Sequence, residues 1–203
     1  VVREECHDVN VVADIFAGTG AVSSVFQDKI LITNDLMYSN YICNYAWFSG
    51  EPYDLEKIVS AVISYNALRS VEDNYMTEHF SDTYFSRDDC AKIGFIRADL
   101  EKKYESGVYN LREKALLLTA LLYAMDKIAK TCGHYDAYRK GAVFDAHLEL
   151  HVPMASHENR AENQCFCMDA NVLVSRLSAD LVYIDPPYNS RQYSDAYHFL
   201  ENI

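Results

Sequence analysis

The chain has 203 residues, with 18 Lys plus Arg against 30 Asp plus Glu, for a formal net charge of −12 at pH 7. Half of the residues are hydrophobic, 13% are aromatic, and there are only 7 Gly and 4 Pro. This excludes a disordered chain, which lacks the apolar content to offset ordering entropy, and a collagen-like one. The acidity excludes a protein whose entire surface binds nucleic acid but permits a local basic groove.

No run approaches the ~18 uninterrupted apolar residues of a membrane span. The length suits one core, or one core with a lobe. Six cysteines (Cys6, Cys43, Cys90, Cys132, Cys165 and Cys167) form no C-x-x-C pair, so no zinc ribbon or thioredoxin-type motif is present. A chain this long needs no disulfide staples, and reduced thiols in a cytoplasmic compartment are the expectation. Val1 begins no apolar leader, and a chain without an initiator Met reads as a piece of a longer protein.

In chain order, residues 11–16 form a short apolar run that reads as a buried strand. The turn Ala17-Gly18-Thr19-Gly20 follows, and residues 21–26 can start a helix. Residues 29–33 read as a second buried strand, ended by Asn34-Asp35. Strand, glycine turn, helix, strand and acid together open a parallel α/β sheet.

The middle of the chain is helical in pattern. Leu55, Ile58, Val59, Val62 and Ile63 recur at helical spacing over residues 54–69. Ser86 can cap a helix over 87–104, and Asn110 one over 111–130 with Leu118, Leu122, Met125 and Ile128 as its buried stripe. Residues 133–141 read as a loop rich in Tyr and basic residues, 147–152 alternate like a strand, and 159–163 are polar loop. The sheet then resumes with a strand over 164–168 stopping at Asp169 and another over 181–184 stopping at Asp185. The chain ends inside what reads as a helix. The expected architecture is an α/β core, residues 1–49 and 161–203, interrupted by a largely helical insertion, residues 50–160.

Three constellations carry chemistry. Glycines at the end of a first strand let a ligand approach the backbone closely; the alternative is an ordinary tight strand-to-helix turn. The loop has one G-x-G, no G-K-[ST], and Ser23 where a dinucleotide fingerprint has its third glycine. A nucleoside cofactor without a pyrophosphate therefore fits better than a triphosphate or a dinucleotide. Asp35, at the end of the second strand, can accept hydrogen bonds from both hydroxyls of a ribose; otherwise it is an exposed turn residue.

The third constellation is Asp185-Pro186-Pro187-Tyr188, a tetrapeptide expected by chance in a chain of this length on the order of once in a thousand. Each proline fixes its φ and lacks an N–H, so the turn is rigid. The Asp185 carboxylate and the Pro186 carbonyl can then both face one amino group, and Tyr188 can offer its ring to a planar base.

With these residues in place, the sequence resembles the S-adenosylmethionine-dependent amino-methyltransferases, and among them the DNA adenine methylases that flip an adenine out of the duplex. The resemblance covers residues 11–40 and 164–203. The stretch from Asp185 to Tyr193, followed by Tyr197-His198, is similar to restriction-modification members. Gly133 to Tyr138 weakly resembles a substrate-side loop of the same proteins.

The resemblance implies a Rossmann-like methyltransferase core with a parallel sheet and S-adenosylmethionine as cofactor. Phe16, Ala17, Gly18 and Gly20 would line its methionine end, Asp35 would hold its ribose, and Asp169 with Ala170 its adenine. Asp185, Pro186, Pro187 and Tyr188 would form the catalytic turn around the target amine. The insertion would be the target-recognition region on double-stranded DNA, with Tyr135, Tyr138, Arg139, Lys140 and Arg191 as contacts. Lys102, Lys103, Arg112, Lys114, Lys127 and Lys130 are further cations that could neutralise phosphates.

No metal is implied. His147, Glu149 and His151 would share a strand face but supply only three ligands, and Cys165 and Cys167, which also alternate, read as buried strand thiols. His198 reads as a helix residue near the site. No aromatic–Gly-Ser-Lys motif precedes the glycine loop, and the chain stops before the family's later strands. The sheet is therefore expected to be incomplete, with another chain or segment completing it. A cognate restriction endonuclease would be a further partner. An RNA amino-methyltransferase acting on ribosomal RNA, or a non-catalytic fragment of a methylase, are the alternatives.

Overall fold

A computed structural model describes residues 8–131, 135, 137–156, 158–187 and 199–203. The chain divides into two compact units, one of residues 1–52 and 155–188, the other of residues 53–154 and 189–203.

The first unit is built on a parallel four-stranded sheet. Its strands are β1 (Val11–Asp14), β2 (Ile30–Asn34), β3 (Gln164–Phe166) and β4 (Leu181–Tyr183), in the order β3-β2-β1-β4. Val12 pairs with Leu31 and Leu181, and Ile32 with Gln164. Alternate side chains leave the strands on opposite faces, and both faces are covered, as a parallel sheet requires. Val12 and Leu31 pack with Phe26 and Phe48 on one side. Ala13, Ile15 and Ile32 pack with Leu173 on the other.

The α/β expectation holds, with two local differences. The residues after the glycine loop make only a 3-10 turn, Ser23–Phe26. The sheet-packing helix instead follows β2, as α1 (Tyr38–Phe48). Its sequence is poor in strong helix formers and Met37 gives no side-chain cap. Burial of Ile42, Ala46 and Phe48 supplies what propensity does not.

The second unit is helical: α2 (Leu55–Asn66), α3 (Tyr75–Phe80), α4 (Arg87–Glu105) and α5 (Leu111–Ile128). Asp54, Ser86 and Asn110 cap α2, α4 and α5, and Asn110 with Glu113 forms a full capping box. The short α3, absent from the sequence reading, is also capped by a box, Asn74 with Thr77. The expected stripe on α5 is wider than four residues. Fourteen of its 18 residues are buried, because both α2 and α4 pack on it.

Residues 147–152 form no strand. Leu148 and Leu150 are buried, but their amides donate at 2.9 Å to the side chains of Asp89 and Asn66. Side chains from α4 and α2 satisfy this extended segment where a ladder partner was expected. His147, Glu149 and His151 point outward, exposed. The end of the chain, Phe199–Ile203, groups with the helical unit although the sequence reading placed it with the core.

Among the described residues, no helix is long and apolar enough to cross a membrane.

Candidate active site at the strand ends

All four strands run the same way, so their carboxyl ends share one edge of the sheet. Each strand is followed there by one of the residues or turns singled out above. Read across the sheet in the order β3-β2-β1-β4, these are Asp169, Asp35, the glycine loop and the Asp185 turn. Backbone bonds carry the sheet past its formal ends. The Asp35 amide donates to Phe166 at 3.2 Å, Ala17 to Asn34 at 2.9 Å, and Ile15 to Tyr183 at 3.3 Å. With strands about 4.8 Å apart, the row spans roughly 14 Å. The chain passes outward from β1 through β2 and β3, then returns to the other side of β1 as β4. The crevice between the β1 and β4 ends is therefore a topological switch point, where ligands bind in open α/β sheets.

The glycine loop is left-handed at both glycines, with φ +52° at Gly18 and +78° at Gly20. A Cβ on Gly18 would meet nothing within 4 Å, so the backbone faces open space there. The Gly18 amide donates to Asp35 Oδ2 at 2.8 Å, and the Met37 amide to Oδ1 at 2.9 Å. Each oxygen accepts one of these bonds and has a second lone pair. Phe16 is half-buried against the Ala13 cluster, and Ala17 is buried.

Asp169 caps α6 (Ala170–Val174), its Oδ1 accepting from the amide and side chain of Asn171 at 2.7 and 3.0 Å. Ala170 opens that helix and packs on the same cluster as Phe16. Asp185, Pro186 and Pro187 are exposed beyond β4. Tyr188 and Arg191 lie outside the described residues, as do His134, Asp136, Tyr193, Tyr197 and His198.

Three buried polar residues beneath this edge were given no role in the sequence reading. Asn34 knits three strand ends together. Its Nδ2 donates to the Ile15 and Met168 carbonyls at 3.1 Å each, and its Oδ1 accepts from the Met168 amide at 3.2 Å. Asp14 ends β1, with Oδ2 accepting from the Ser23 hydroxyl at 3.0 Å. Burial holds its carboxyl above the usual carboxylate range and the Asp35 charge adds to this, while the Ser23 hydroxyl and nearby backbone amides oppose it. Asn44, on α1, reaches the glycine loop from below. Asn34 and Asp14 each had a local signal, a place at a strand end; the bond from Asn44 to the Gly18 carbonyl spans 26 residues.

The chain matches the D12 class N6 adenine-specific DNA methyltransferase family over residues 2–203. It belongs to that family. It is 32% identical to modification methylase StsI of Streptococcus sanguinis, over 95% of this chain and 32% of the relative. It is also 32% identical to type II methyltransferase M.FokI of Planomicrobium okeanokoites, over 97% of this chain and 33% of the relative. With type II methyltransferase M.NlaIII of Neisseria lactamica the figure is 30%, over 95% of this chain and 60% of the relative. The chain thus spans from about a third to three fifths of the length of these relatives. No solved structure matches it significantly.

In this D12 family member the residues expected to touch DNA separate by burial. Tyr135 is a core residue, 2% exposed and stacked on Phe199 with ring centroids 5.3 Å apart. Its carbonyl accepts from the Tyr84 hydroxyl at 2.5 Å. This corrects its expected place on a surface. Tyr138, Arg139 and Lys140 are exposed. The Arg139 Nε–H and backbone N–H donate to the carbonyls of Thr131 and Lys130, both at 2.9 Å, which fixes the base of the loop.

Among the other cations, Arg112 is 1% exposed and lies over the Tyr53 ring at 4.8 Å. Lys114 is buried between Glu101 and the Tyr104 ring. Neither can reach a phosphate. Lys103 is paired with Asp99, and Lys130 with Asp145. Among the cysteines, Cys43, Cys90, Cys165 and Cys167 are unbridged, and Cys167 is exposed where a buried thiol was expected.

Proposed function

We propose that this chain carries the catalytic core of a site-specific DNA methyltransferase that methylates the exocyclic amine of a flipped adenine. Family membership supports the reaction class. The observation that carries the site is the order of groups along the sheet edge. Asp169, Asp35, the glycine loop and Asp185 follow one another as adenine, ribose, methionine and acceptor amine would in S-adenosylmethionine laid across the strand ends with its target beyond. The open space at Gly18 and the spare lone pairs on Asp35 suit such a molecule.

Phe16, Ala17, Gly18 and Gly20 line the methionine end, Asp35 takes the ribose hydroxyls, and Asp169, beside Ala170, takes the adenine amine. Bound there, S-adenosylmethionine supplies an electrophilic methyl group. Asp185 and the Pro186 carbonyl accept from the two N–H groups of the target amine. Its lone pair is otherwise delocalised into the ring, and two acceptors favour a tetrahedral nitrogen that frees it. Pro186 and Pro187 hold both acceptors in place before the substrate arrives, and Tyr188 stacks on the flipped base.

Residues 50–160 are proposed as the target-recognition region on double-stranded DNA, with Tyr138, Arg139 and Lys140 in contact, Tyr84 packed against the rings of both Tyr135 and Tyr138, and Arg191 as a further contact from the catalytic core. A cytoplasmic setting suits the free thiols, and a cognate restriction endonuclease is the proposed partner of the modification activity.

The test is transfer of labelled methyl from S-adenosylmethionine to duplex DNA and to ribosomal RNA in parallel, with digestion to nucleosides. Label in N6-methyldeoxyadenosine is the expected result. Label in RNA alone would replace DNA by RNA as the substrate. Donor binding without transfer by the chain, restored in the full-length protein, would mark a fragment that is not active alone.

A further inference from the structure

One side chain holds the glycine loop from below. Asn44 sits in the interior of α1 and is 2% exposed. Its Nδ2 donates to the Gly18 carbonyl at 2.9 Å and to the Asn40 carbonyl at 2.8 Å. Its Oδ1 is buried and accepts no hydrogen bond among the described residues. That oxygen lies 2.7 Å from where a Cβ on Gly20 would stand, so it fills the space a side chain there would need and the loop packs directly on it. Gly18 is thus gripped at both polar groups, its N–H by Asp35 and its C=O by Asn44. The backbone carbonyl of Asn44 in turn accepts from Cys165 Sγ at 3.7 Å, which ties the same helix turn to β3.

We propose that Asn44 is a positioning residue for the methyl-donor site. Its carboxamide fixes the loop at Gly18 and Gly20, and so sets donor affinity without touching the donor. The proposal rests on the reading of the glycine loop as the donor site. Glycine loses more freedom on ordering than any other residue. A loop with two left-handed glycines that is not held beforehand must be ordered by its ligand, and affinity falls by that cost. Asparagine is a weak helix former because its side chain competes for backbone partners. At position 44 it meets such partners in the loop and one turn back along its own helix.

The experiment measures S-adenosylhomocysteine binding by calorimetry, steady-state kinetics and thermal melts on the intact protein. Asn44→Ala is expected to raise the Kd for S-adenosylhomocysteine and the KM for S-adenosylmethionine about tenfold, with kcat and the KM for DNA within about twofold. Asn44→Asp keeps the size and shape but sets a carboxyl against the Gly18 carbonyl. Ionised, that carboxyl repels it; protonated, it donates to it. The affinity of this variant, taken as a ratio to wild type, is therefore expected to recover as pH falls.

If Asn44 were merely structural, both variants would melt earlier, yet the folded proteins would keep wild-type Kd values and a flat ratio with pH. That result overturns the proposal. If Asn44→Ala does not fold, the pH ratio of Asn44→Asp decides by itself. Wild-type protein that binds no S-adenosylhomocysteine would overturn the donor-site reading instead, so the two failures are distinguishable.

Discussion

Gly20 stands at φ +78°, and a Cβ there would lie 2.7 Å from both Asn44 Oδ1 and the Phe48 ring. Gly20→Ala adds left-handed strain of ~1–2 kcal/mol to an overlap that α1 must shift to relieve. A total loss of about 2–3 kcal/mol in urea unfolding is expected, with weakened donor binding. Asp14 makes the opposite kind of prediction. Its folded-state pKa is raised above the ordinary 3.8 by burial. Below 3.8 both folded and unfolded chains hold the proton and the group costs nothing. As pH rises through the raised value, the fold must carry a desolvated charge that the unfolded chain solvates, and stability falls. Asp14→Asn is therefore expected to raise the melting temperature at neutral pH and leave it unchanged near pH 3. Equal shifts at both pH values would refute this account.

Helix α5 begins at a junction that can be dissected. Glu113, buried, accepts from the Asn110 amide at 3.0 Å, the Asp54 amide at 3.1 Å and Lys57 Nζ at 3.2 Å. One carboxylate therefore closes the capping box of α5 and anchors the start of α2. Asn110→Ala removes the cap alone, at about 1 kcal/mol. Glu113→Ala leaves two amides and an ammonium without their acceptor, and about 2–3 kcal/mol is expected. If the two substitutions cost the same in urea unfolding, Glu113 does not bridge the helices. The caps of α4 and α5 were legible because Ser86 and Asn110 stand immediately before helical periodicity, while the Asp54 cap of α2 emerged only in the structure. Helix α1 was not legible, because its Tyr- and Asn-rich sequence has neither cap nor strong propensity, and only contact with the sheet makes it a helix.

For the molecule as a whole, three substitutions separate chemistry from binding. Asp185→Ala is expected to abolish methyl transfer while leaving S-adenosylhomocysteine affinity within about twofold, since that carboxylate is assigned to the target amine. Transfer that survives Asp185→Ala would remove the mechanism whatever the substrate. The net charge of −12 means that attraction to DNA must be local. Arg139→Ala and Lys140→Ala are each expected to weaken DNA binding and to lower the slope of log K against log salt by about 1. An unchanged slope would place the DNA contact elsewhere.

What the sequence by itself determined are the local features: four short apolar runs, the turn or acid that ends each, the capped helices and the tetrapeptide after β4. These are written in neighbouring residues, since strand period, turn chemistry and caps act over a few positions. The order of those ends along the sheet edge was decided by strand pairing between segments more than 100 residues apart. Packing decided that Tyr135, Arg112 and Lys114 belong to a core while Tyr138, Arg139 and Lys140 face solvent. It also brought Asn44 under the glycine loop. Nothing in the residues beside these positions encodes such outcomes. Which polar groups lose their water, and which partner replaces it, is settled only when distant segments close on one another.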